Sequence, residues 1–259
     1  MKIKMNITCM ALTTALLSST IAHATIVEFQ TTQGTFKVNL FDETTPKTVE
    51  NFLSYVNSEG YQNSVIHRVE TDFVVQGGGF YYNGKIPLNA ITTNSPVANE
   101  PELSNVRGTI AMAKLSGQQN SATNQWFFNL SDNSANLDVQ NGGFSVFGQV
   151  IDSGMEVVDK ISKIPLCGST PLVDFTAAQC ADEGTEPAGN NFITINAITV
   201  IDDDPASAQM LTPVLNTLID NVIAPEPEPE TAPSKPASSG GSLFASLMLL
   251  AGVLIFRKY

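Results

Sequence analysis

The amino-acid sequence predicts a mainly β domain whose strands close into a barrel with helices at its ends. Three observations support this fold class. Apolar and polar residues alternate over many short segments, glycine-rich turns separate those segments, and only two segments before residue 202 have the periodicity of an amphipathic helix. Many short strands, few helices and glycine-rich turns are together typical of a barrel.

The first elements are a β-hairpin and a helix. IVEFQT and TFKVNLF alternate apolar with polar residues on either side of a glycine turn, which predicts a half-buried hairpin. A helix is expected to follow, with Thr45 as its N-cap, Pro46 in its first turn and Gly60 just past its end.

Further strands and one further helix are predicted along the domain. The strands are expected at 65–69, 73–77, 109–113, 125–130, 144–151 and 192–200. Apolar residues recur at helical spacing over 154–162, which predicts the second helix. Two long stretches, 79–106 and 164–190, are expected to be surface loops.

Residues 1–24 have the pattern of a cleaved secretory signal peptide. Two lysines precede an apolar run over 7–17, and Ala22 and Ala24 place small residues at positions −3 and −1 of a cleavage site. Signal peptidase is therefore an expected partner, and the folded domain is expected to be residues 25–201 of an exported protein. The alternative is that the first segment is a core helix or an uncleaved anchor.

Charge and residue content exclude several classes of function. Without residues 1–24 the chain keeps 11 basic and 25 acidic residues, a formal charge of −14, which argues against nucleic acid as a partner. His67 is the one histidine after residue 24, so a histidine-rich metal cluster is excluded, and neither a metal nor a cofactor is expected. In an exported protein Cys167 and Cys180 are expected to form a disulfide; two free thiols in a surface loop are the alternative.

Three segments follow the domain. Residues 202–224 have apolar residues at a spacing near four, which predicts a short amphipathic helix that docks on the domain or pairs with a second copy. Residues 225–241 form a Pro/Glu/Ser-rich linker. The last segment, 242–259, is apolar and has a basic end, Arg257 and Lys258.

With the Ser-Gly-Gly before it, the segment 242–259 resembles the GlyGly-CTERM sorting tail of exported proteins from Gram-negative bacteria. The resemblance implies a transient position at the periplasmic face of the inner membrane. It also implies a rhomboid-type protease as partner and release of the trimmed protein toward the cell surface. A simple C-terminal transmembrane anchor is the alternative, although the apolar stretch is short of the roughly 20 residues that a spanning helix needs.

Two clusters of motifs indicate the function. The stretch IHRVETDFVVQGGGF at 66–80 contains Arg68 and Gln76; alone, such an arginine is typical of a solvated surface charge and such glycines of a tight turn. RGTIAMA and SATNQWFFNL follow in the second cluster. On a strand over 125–130, Gln125 and Phe127 share one face, which is the arrangement of a pocket for an apolar side chain.

These blocks, in this order, resemble the cyclophilin family of peptidyl-prolyl cis-trans isomerases, and most closely its bacterial periplasmic branch. The resemblance runs from about Ile26 to Val200, essentially the whole folded domain. It implies a closed eight-stranded antiparallel barrel that is capped by two helices. It also implies that the chain isomerises X–Pro bonds in proline-containing segments of exported proteins.

The resemblance also implies which residues form the site. Arg68 corresponds to the family's catalytic arginine. The substrate-binding positions are Phe73, Val74, Gln76, Ala113, Gln125, Phe127, Leu137 and Phe144. Two positions depart from the family pattern, because Asn136 replaces a tryptophan and Phe144 replaces a histidine.

The chemistry of isomerisation suits a site without a titrating group. Rotating an amide costs roughly 18–20 kcal/mol because rotation destroys C–N resonance. An enzyme therefore has to bind the twisted amide better than either planar form. A guanidinium can donate to the proline nitrogen at every physiological pH. Activity is therefore expected to be nearly flat between about pH 6 and 9.

Two other functions fit the same residues. One is a non-catalytic module or chaperone that grips proline segments on the cyclophilin scaffold without rotating them. The other is a structural surface protein that assembles through its tail and the 202–224 segment. A hydrolase is not supported, because the sequence contains no G-x-S-x-G elbow and His67 belongs to the HRV motif.

Overall fold

The computed structural model describes residues 25–203 and 211–219. Its strands are β1 (Ile26–Thr31), β2 (Gly34–Leu40), β3 (Ser64–Val65), β4 (Arg68–Glu70), β5 (Val74–Gly77), β6 (Phe80–Tyr81), β7 (Asn89–Ala90), β8 (Thr109–Met112), β9 (Trp126–Asn129), β10 (Val146–Ile151), β11 (Leu166–Cys167), β12 (Thr170–Pro171) and β13 (Thr194–Asp202). Its α-helices are α1 (Pro46–Asn57), α2 (Ser134–Leu137), α3 (Gly154–Ser162) and α4 (Ala177–Ala181), and short 3₁₀ helices lie at Gln140–Gly142 and Gly189–Asn191.

Eleven of these strands form one curled antiparallel sheet. Their order across the sheet is β4-β5-β9-β8-β10-β2-β1-β13-β3-β6-β7, and β11 pairs with β12 in a separate hairpin. Only two residues separate β3 from β4 along the chain, yet these strands are ninth and first in the sheet order. The sheet must therefore curl until its first strand comes close to its ninth.

The predicted closed barrel of eight strands is not confirmed. The predicted strand 65–69 is interrupted, because its middle residues change partner. The amide of Ile66 donates to the carbonyl of Ile193 at 2.9 Å, whereas the amide of His67 donates to the carbonyl of Gln76 at 3.2 Å. The ladder breaks at this change, and β6 and β7 extend the opposite edge of the sheet.

Elements with a strong local pattern form where they are predicted. The β1–β2 hairpin and α1 are present, and α3 has the predicted bounds. The two stretches predicted as loops contain short elements instead. Residues 79–106 include β6 and β7, and residues 164–190 include β11, β12 and α4.

A distant carboxylate, and not the side chain of Thr45, caps the start of α1. The Thr45 hydroxyl donates to the carbonyl of Phe41 at 3.4 Å and makes no capping bond. Glu100 instead accepts from the amides of Lys47 at 3.3 Å and Thr48 at 2.8 Å. A carboxylate at a helix N-terminus is favourable, so this cap ties the long 79–106 segment to α1.

Strand β9 separates two apolar clusters. Trp126 and Phe128 are fully buried in the larger one, among the aromatic rings of β1, β2 and α1. Phe127, between them in sequence, belongs to a second cluster that includes Leu137 and Phe144. Successive side chains of a strand point to opposite faces, so one face of β9 fills the core and the other is available for a site.

The predicted amphipathic helix over 202–224 is not formed in residues 211–219, and its residues 204–210 and 220–224 lie outside the described chain. Residues 211–219 instead lie against the domain as an extended strap. Leu215 forms an antiparallel bridge with Leu103, and the amide of Asn216 donates to the carbonyl of Glu102 at 2.9 Å. Backbone groups of the neighbouring segment are available for pairing here, and this tertiary pairing overrides the local periodicity.

Asn216 fastens the strap, and it is 6% exposed. Its side-chain amide donates to the carbonyls of Pro101 at 3.0 Å and Asp138 at 2.9 Å. Its side-chain oxygen accepts from the amides of Leu218 and Ile219 at 3.0 and 3.1 Å. One buried side chain therefore joins the strap to two parts of the domain that precede it.

The structure does not describe the segments predicted at the two ends of the chain. Within residues 25–203 and 211–219, no helix is both long enough and apolar enough to span a membrane. The signal peptide 1–24, the linker 225–241 and the sorting tail 242–259 lie outside the described residues.

Candidate active site

Strand register places Arg68, Gln76 and Phe127 in one row. Arg68 on β4 lies opposite Gln76 on β5, which lies opposite Phe127 on β9, which in turn lies opposite Ala111 on β8. Residues that lie directly opposite each other in antiparallel strands point to the same face. The guanidinium, the amide and the aromatic ring are therefore neighbours because of backbone pairing alone.

Two neighbours orient the guanidinium of Arg68, whose side chain is 15% exposed. Its Nη1 donates to Oε1 of Gln76 at 3.1 Å, and its Nη2 lies 3.3 Å from Oε1 of Glu70. Burial lowers the pKa of Arg68, and the charge of Glu70 opposes that shift. Because arginine starts from a very high pKa, the group stays charged at physiological pH.

Glycines make room for the second glutamine of the site. Nε2 of Gln76 donates to Oε1 of Gln125 at 2.8 Å. A Cβ atom on Gly79 would lie 2.7 Å from the side-chain carbon of Gln125, and one on Gly78 would lie 2.6 Å from the indole nitrogen of Trp126. Gly78 also has φ +75°, which favours glycine. The glycine run therefore forms the turn and also lets the side chains of Gln125 and Trp126 pack closely against the backbone beside the site.

The row forms one wall of a cavity of about 180 Å³. Its apolar lining consists of Phe73, Val74, Ala113, Phe127, Leu137 and Phe144. Its polar lining consists of Arg68, Gln76, Lys114, Ser116, Asn136, Gln140 and Asn141. A concave apolar surface with a few convergent polar groups is the usual form of a ligand site.

Arg68 and seven of the eight residues predicted to bind substrate line this cavity. Gln125 is not in the lining and reaches the site through its bond to Gln76. The two positions that depart from the family pattern also face the cavity. The ring of Phe144 packs edge-on against Phe127 with centroids 5.8 Å apart, and Asn136 contributes a small polar side chain.

Lys114 is the main residue of the site that the sequence did not predict. It is 6% exposed, and its ammonium donates to the carbonyls of Asn141, at 2.9 Å, and Gly143. The same nitrogen lies 4.8 Å from the centroid of the Phe144 ring, a cation–π contact. Lys114 therefore holds the 141–143 turn against the cavity wall.

No carboxylate lies within ion-pair distance of Lys114 in the described part of the chain. Burial lowers its pKa to about 8, because removing an ammonium from water disfavours the charged form. The lysine is the second residue after β8 and belongs to no periodic pattern. Only the absence of a nearby acidic residue in sequence could have suggested a buried role for it.

His67 precedes Arg68 but does not line the cavity. Its ring packs edge-on against Phe80 with centroids 4.8 Å apart, and its Nδ1 has no hydrogen-bond partner within the described residues. Burial lowers its pKa to about 4, an effect that hydrogen bonds to Val65 and Gln125 partly oppose. His67 is therefore neutral at physiological pH and is a packing residue.

Comparison with known proteins agrees with this geometry. A family model described as cyclophilin type peptidyl-prolyl cis-trans isomerase/CLD matches residues 26–181. The peptidyl-prolyl cis-trans isomerase of Acinetobacter baylyi is 42% identical over 150 residues, which cover 56% of this chain and 77% of that protein. Peptidyl-prolyl cis-trans isomerase B of Escherichia coli is 39% identical over 145 residues, covering 54% of this chain and 85% of that protein.

One solved structure supports the fold. It is the crystal structure of a cyclophilin type peptidyl-prolyl cis-trans isomerase from Cryptosporidium parvum, with a TM-score of 0.50 and 24% identity. The match covers 70% of this chain and 99% of that chain. At this identity the likeness is used for the fold alone.

We predict that His67 makes the domain less stable in mild acid. Its folded pKa of about 4 lies below the ordinary value of 6.5, so the unfolded chain binds a proton first as the pH falls. The stabilisation is complete above about pH 7 and decreases by about 2 kcal/mol between pH 7 and 5. Urea unfolding of the full chain across this range measures it.

The matched control is His67→Gln, which has no titrating group. Its stability should vary less with pH over this window, whatever its absolute stability, because the carboxylates are the same in both proteins. Equal pH dependence in the two proteins would show that His67 titrates normally.

Proposed function

The chain belongs to the cyclophilin type of peptidyl-prolyl cis-trans isomerases, and we propose that Arg68 is the residue that acts on the X–Pro amide. The isomerase activity follows from family membership. The observation that supports the role of Arg68 is the row of Arg68, Gln76 and Phe127 beside an apolar cavity. This row sets a fixed cation next to a place where a proline ring can be buried.

In the proposed mechanism the proline ring sits among the apolar lining residues while the bond before it rotates. Rotation removes the resonance of the amide and frees the lone pair of the proline nitrogen. Arg68 donates a hydrogen bond to this nitrogen, a contact that is strongest when the amide is twisted. The low exposure of Arg68 strengthens the bond, because little water competes for the donor.

Donors of Arg68 remain available for this role. A guanidinium has five N–H groups, and the contacts to Gln76 and Glu70 use one on each terminal nitrogen. These two contacts orient the planar group without exhausting it. Gln76 uses one amide hydrogen in its bond to Gln125, and its oxygen accepts from Arg68, so its second amide hydrogen can bind the peptide backbone beside the proline.

We also propose that the enzyme works on exported proteins. The signal-peptide pattern of residues 1–24 supports export, with signal peptidase as a partner. The disulfide between Cys167 and Cys180 also supports it, because disulfides persist in oxidising compartments. The pattern of 242–259 supports the periplasmic face of the inner membrane as the site of action, followed by cleavage by a rhomboid-type protease and release.

We predict that Arg68→Ala lowers kcat/KM for a short X–Pro peptide by about 100-fold, the usual effect of removing one transition-state donor. NMR exchange spectroscopy with the full chain measures the rate. Arg107→Ala is the matched control, because Arg107 pairs with Asp159 and is not among the cavity-lining residues. Full activity in Arg68→Ala would refute the role of Arg68. Peptide binding without acceleration by the wild-type chain would favour the binding module.

We predict that kcat is flat between about pH 6 and 9, since Arg68 does not titrate there. KM, in contrast, should rise above about pH 8, where Lys114 loses its proton and holds the 141–143 turn less firmly. Lys114→Met should remove the change in KM and leave kcat flat. A bell-shaped kcat profile would contradict the mechanism, and a KM independent of pH would contradict the role of Lys114.

We predict that the protein isolated from its host begins at Thr25 and ends before the apolar segment 242–259. Mass spectrometry of the membrane and extracellular fractions measures both ends. Ala24→Pro, placed at the proposed cleavage position, should retain residues 1–24, whereas Ala24→Ser should not. A wild-type protein that keeps Met1 and remains inside the cell would overturn the export proposal.

A further inference from the structure

We propose that the disulfide-closed hairpin of β11 and β12 positions Arg68, with Thr170 as the positioning residue, so that activity depends on the Cys167–Cys180 disulfide. The proposal rests on the role proposed above for Arg68. It assigns a catalytic purpose to the 164–190 insertion, which lies outside the cavity.

The strand that carries Arg68 is short and lies at a sheet edge. β4 has three residues and is the first strand in the sheet order, so β5 is its one neighbour within the sheet. An edge strand leaves backbone groups unpaired on its outer side. Val69 is 1% exposed and fixes the strand to the main core, but the strand has to hold the guanidinium on its other face, where the sheet gives it a single neighbour.

The hairpin bonds to both residues that flank Arg68. The amide of Val69 donates to the carbonyl of Ser169 at 2.7 Å. The hydroxyl of Thr170 donates to the carbonyl of His67 at 3.0 Å. The backbone on each side of Arg68 is therefore held by the tip of the hairpin.

The hairpin in turn depends on the disulfide. β11 and β12 contain two residues each, and their ladder consists of Leu166 opposite Pro171 and Cys167 opposite Thr170. Hairpins of this size are at best marginally stable alone. Cys167 in β11 is joined to Cys180 in α4, with Cα atoms 5.6 Å apart. The cross-linked Cys167 therefore lies directly opposite Thr170.

The two hairpin strands are held to the domain in different ways. After β12, Leu172 is 3% exposed and bridges to Phe192, and the amide of Val173 donates to the carbonyl of Asn191 at 2.8 Å. These contacts hold β12 without the disulfide, whereas β11 is held through its cross-link at Cys167 and through Ile164, which packs against the main core. Breaking the bond should therefore loosen the hairpin tip while the domain stays folded around its main core.

The chemical step is reduction of the disulfide by a dithiol such as dithiothreitol. The Cys167–Cys180 sulfur–sulfur bond breaks, each cysteine gains one electron and one proton, and the reagent is oxidised to its cyclic disulfide. Since a shift of about 1 Å in a catalytic group can cost about 100-fold in rate, a partial loss of the β4 contacts should lower kcat by about 10-fold. KM should change little, because the apolar lining that would hold the proline ring is untouched.

The test compares kcat and KM of the oxidised and reduced full chain on an X–Pro peptide, with the redox state read by mass and folding read by thermal unfolding. Cys167→Ala with Cys180→Ala should match the reduced protein and not respond to dithiothreitol. Thr170→Val should also lower kcat with the disulfide intact, and Thr170→Ser should restore it. Thr185→Val is the control, because its hydroxyl bonds to Asp182 in the same insertion at 2.7 Å.

The outcomes separate this inference from the proposed function. If Arg68→Ala is inactive but reduction and Thr170→Val both leave kcat unchanged, the positioning role is wrong and the mechanism stands. If Arg68→Ala is fully active, the mechanism itself fails. If the double cysteine variant does not fold, Thr170→Val and its serine rescue still decide the question, because they leave the cross-link in place.

Discussion

The antiparallel register of β4, β5 and β9 is the constraint on which the rest of the site depends. It places Arg68, Gln76 and Phe127 opposite one another, so a cation, an amide and an aromatic ring meet without any long-range adjustment. A slip of one residue would turn Val75 and Phe128 toward the cavity and bury the guanidinium in the core. The opposite face of these strands fills the main core, so the row lies on the face that the second apolar cluster lines.

Three cationic or basic residues lie close to this row, and burial affects them differently. Arg68 stays charged because the pKa of a guanidinium is very high and because the charge of Glu70 opposes the lowering of that pKa by burial. Lys114 loses part of its preference for the charged form because burial takes its ammonium out of water, which lowers its pKa to about 8. His67 becomes neutral because its ring is packed away from water. The site therefore has a permanent charge at Arg68, the proposed catalytic position, and a titrating one only in its wall.

The sequence predicted the elements whose structure depends on residues that are close together in the chain. The periodicity of α3 and the alternation of β1 and β2 predicted those elements, and eight of the nine site residues predicted from the motifs line the cavity. The predictions that were wrong concern features that depend on contacts between residues far apart in the chain. Ile66 and His67 change partner, Glu100 replaces Thr45 as the cap of α1, and pairing with Leu103 overrides helical periodicity at Leu215. The motifs did not predict Lys114, because its role depends on burial and not on a sequence pattern.

The strap has a mechanical consequence for a protein held by its C-terminal end. Its last described residue, Ile219, is bonded to Asn216, which is bonded to the carbonyl of Asp138, the residue after Leu137 in the cavity wall. A pulling force on the chain beyond residue 219 would therefore reach Asn216 and the Leu103–Leu215 bridge before it reached the cavity. In a protein held in this way, these contacts would have to break before the force distorted the cavity.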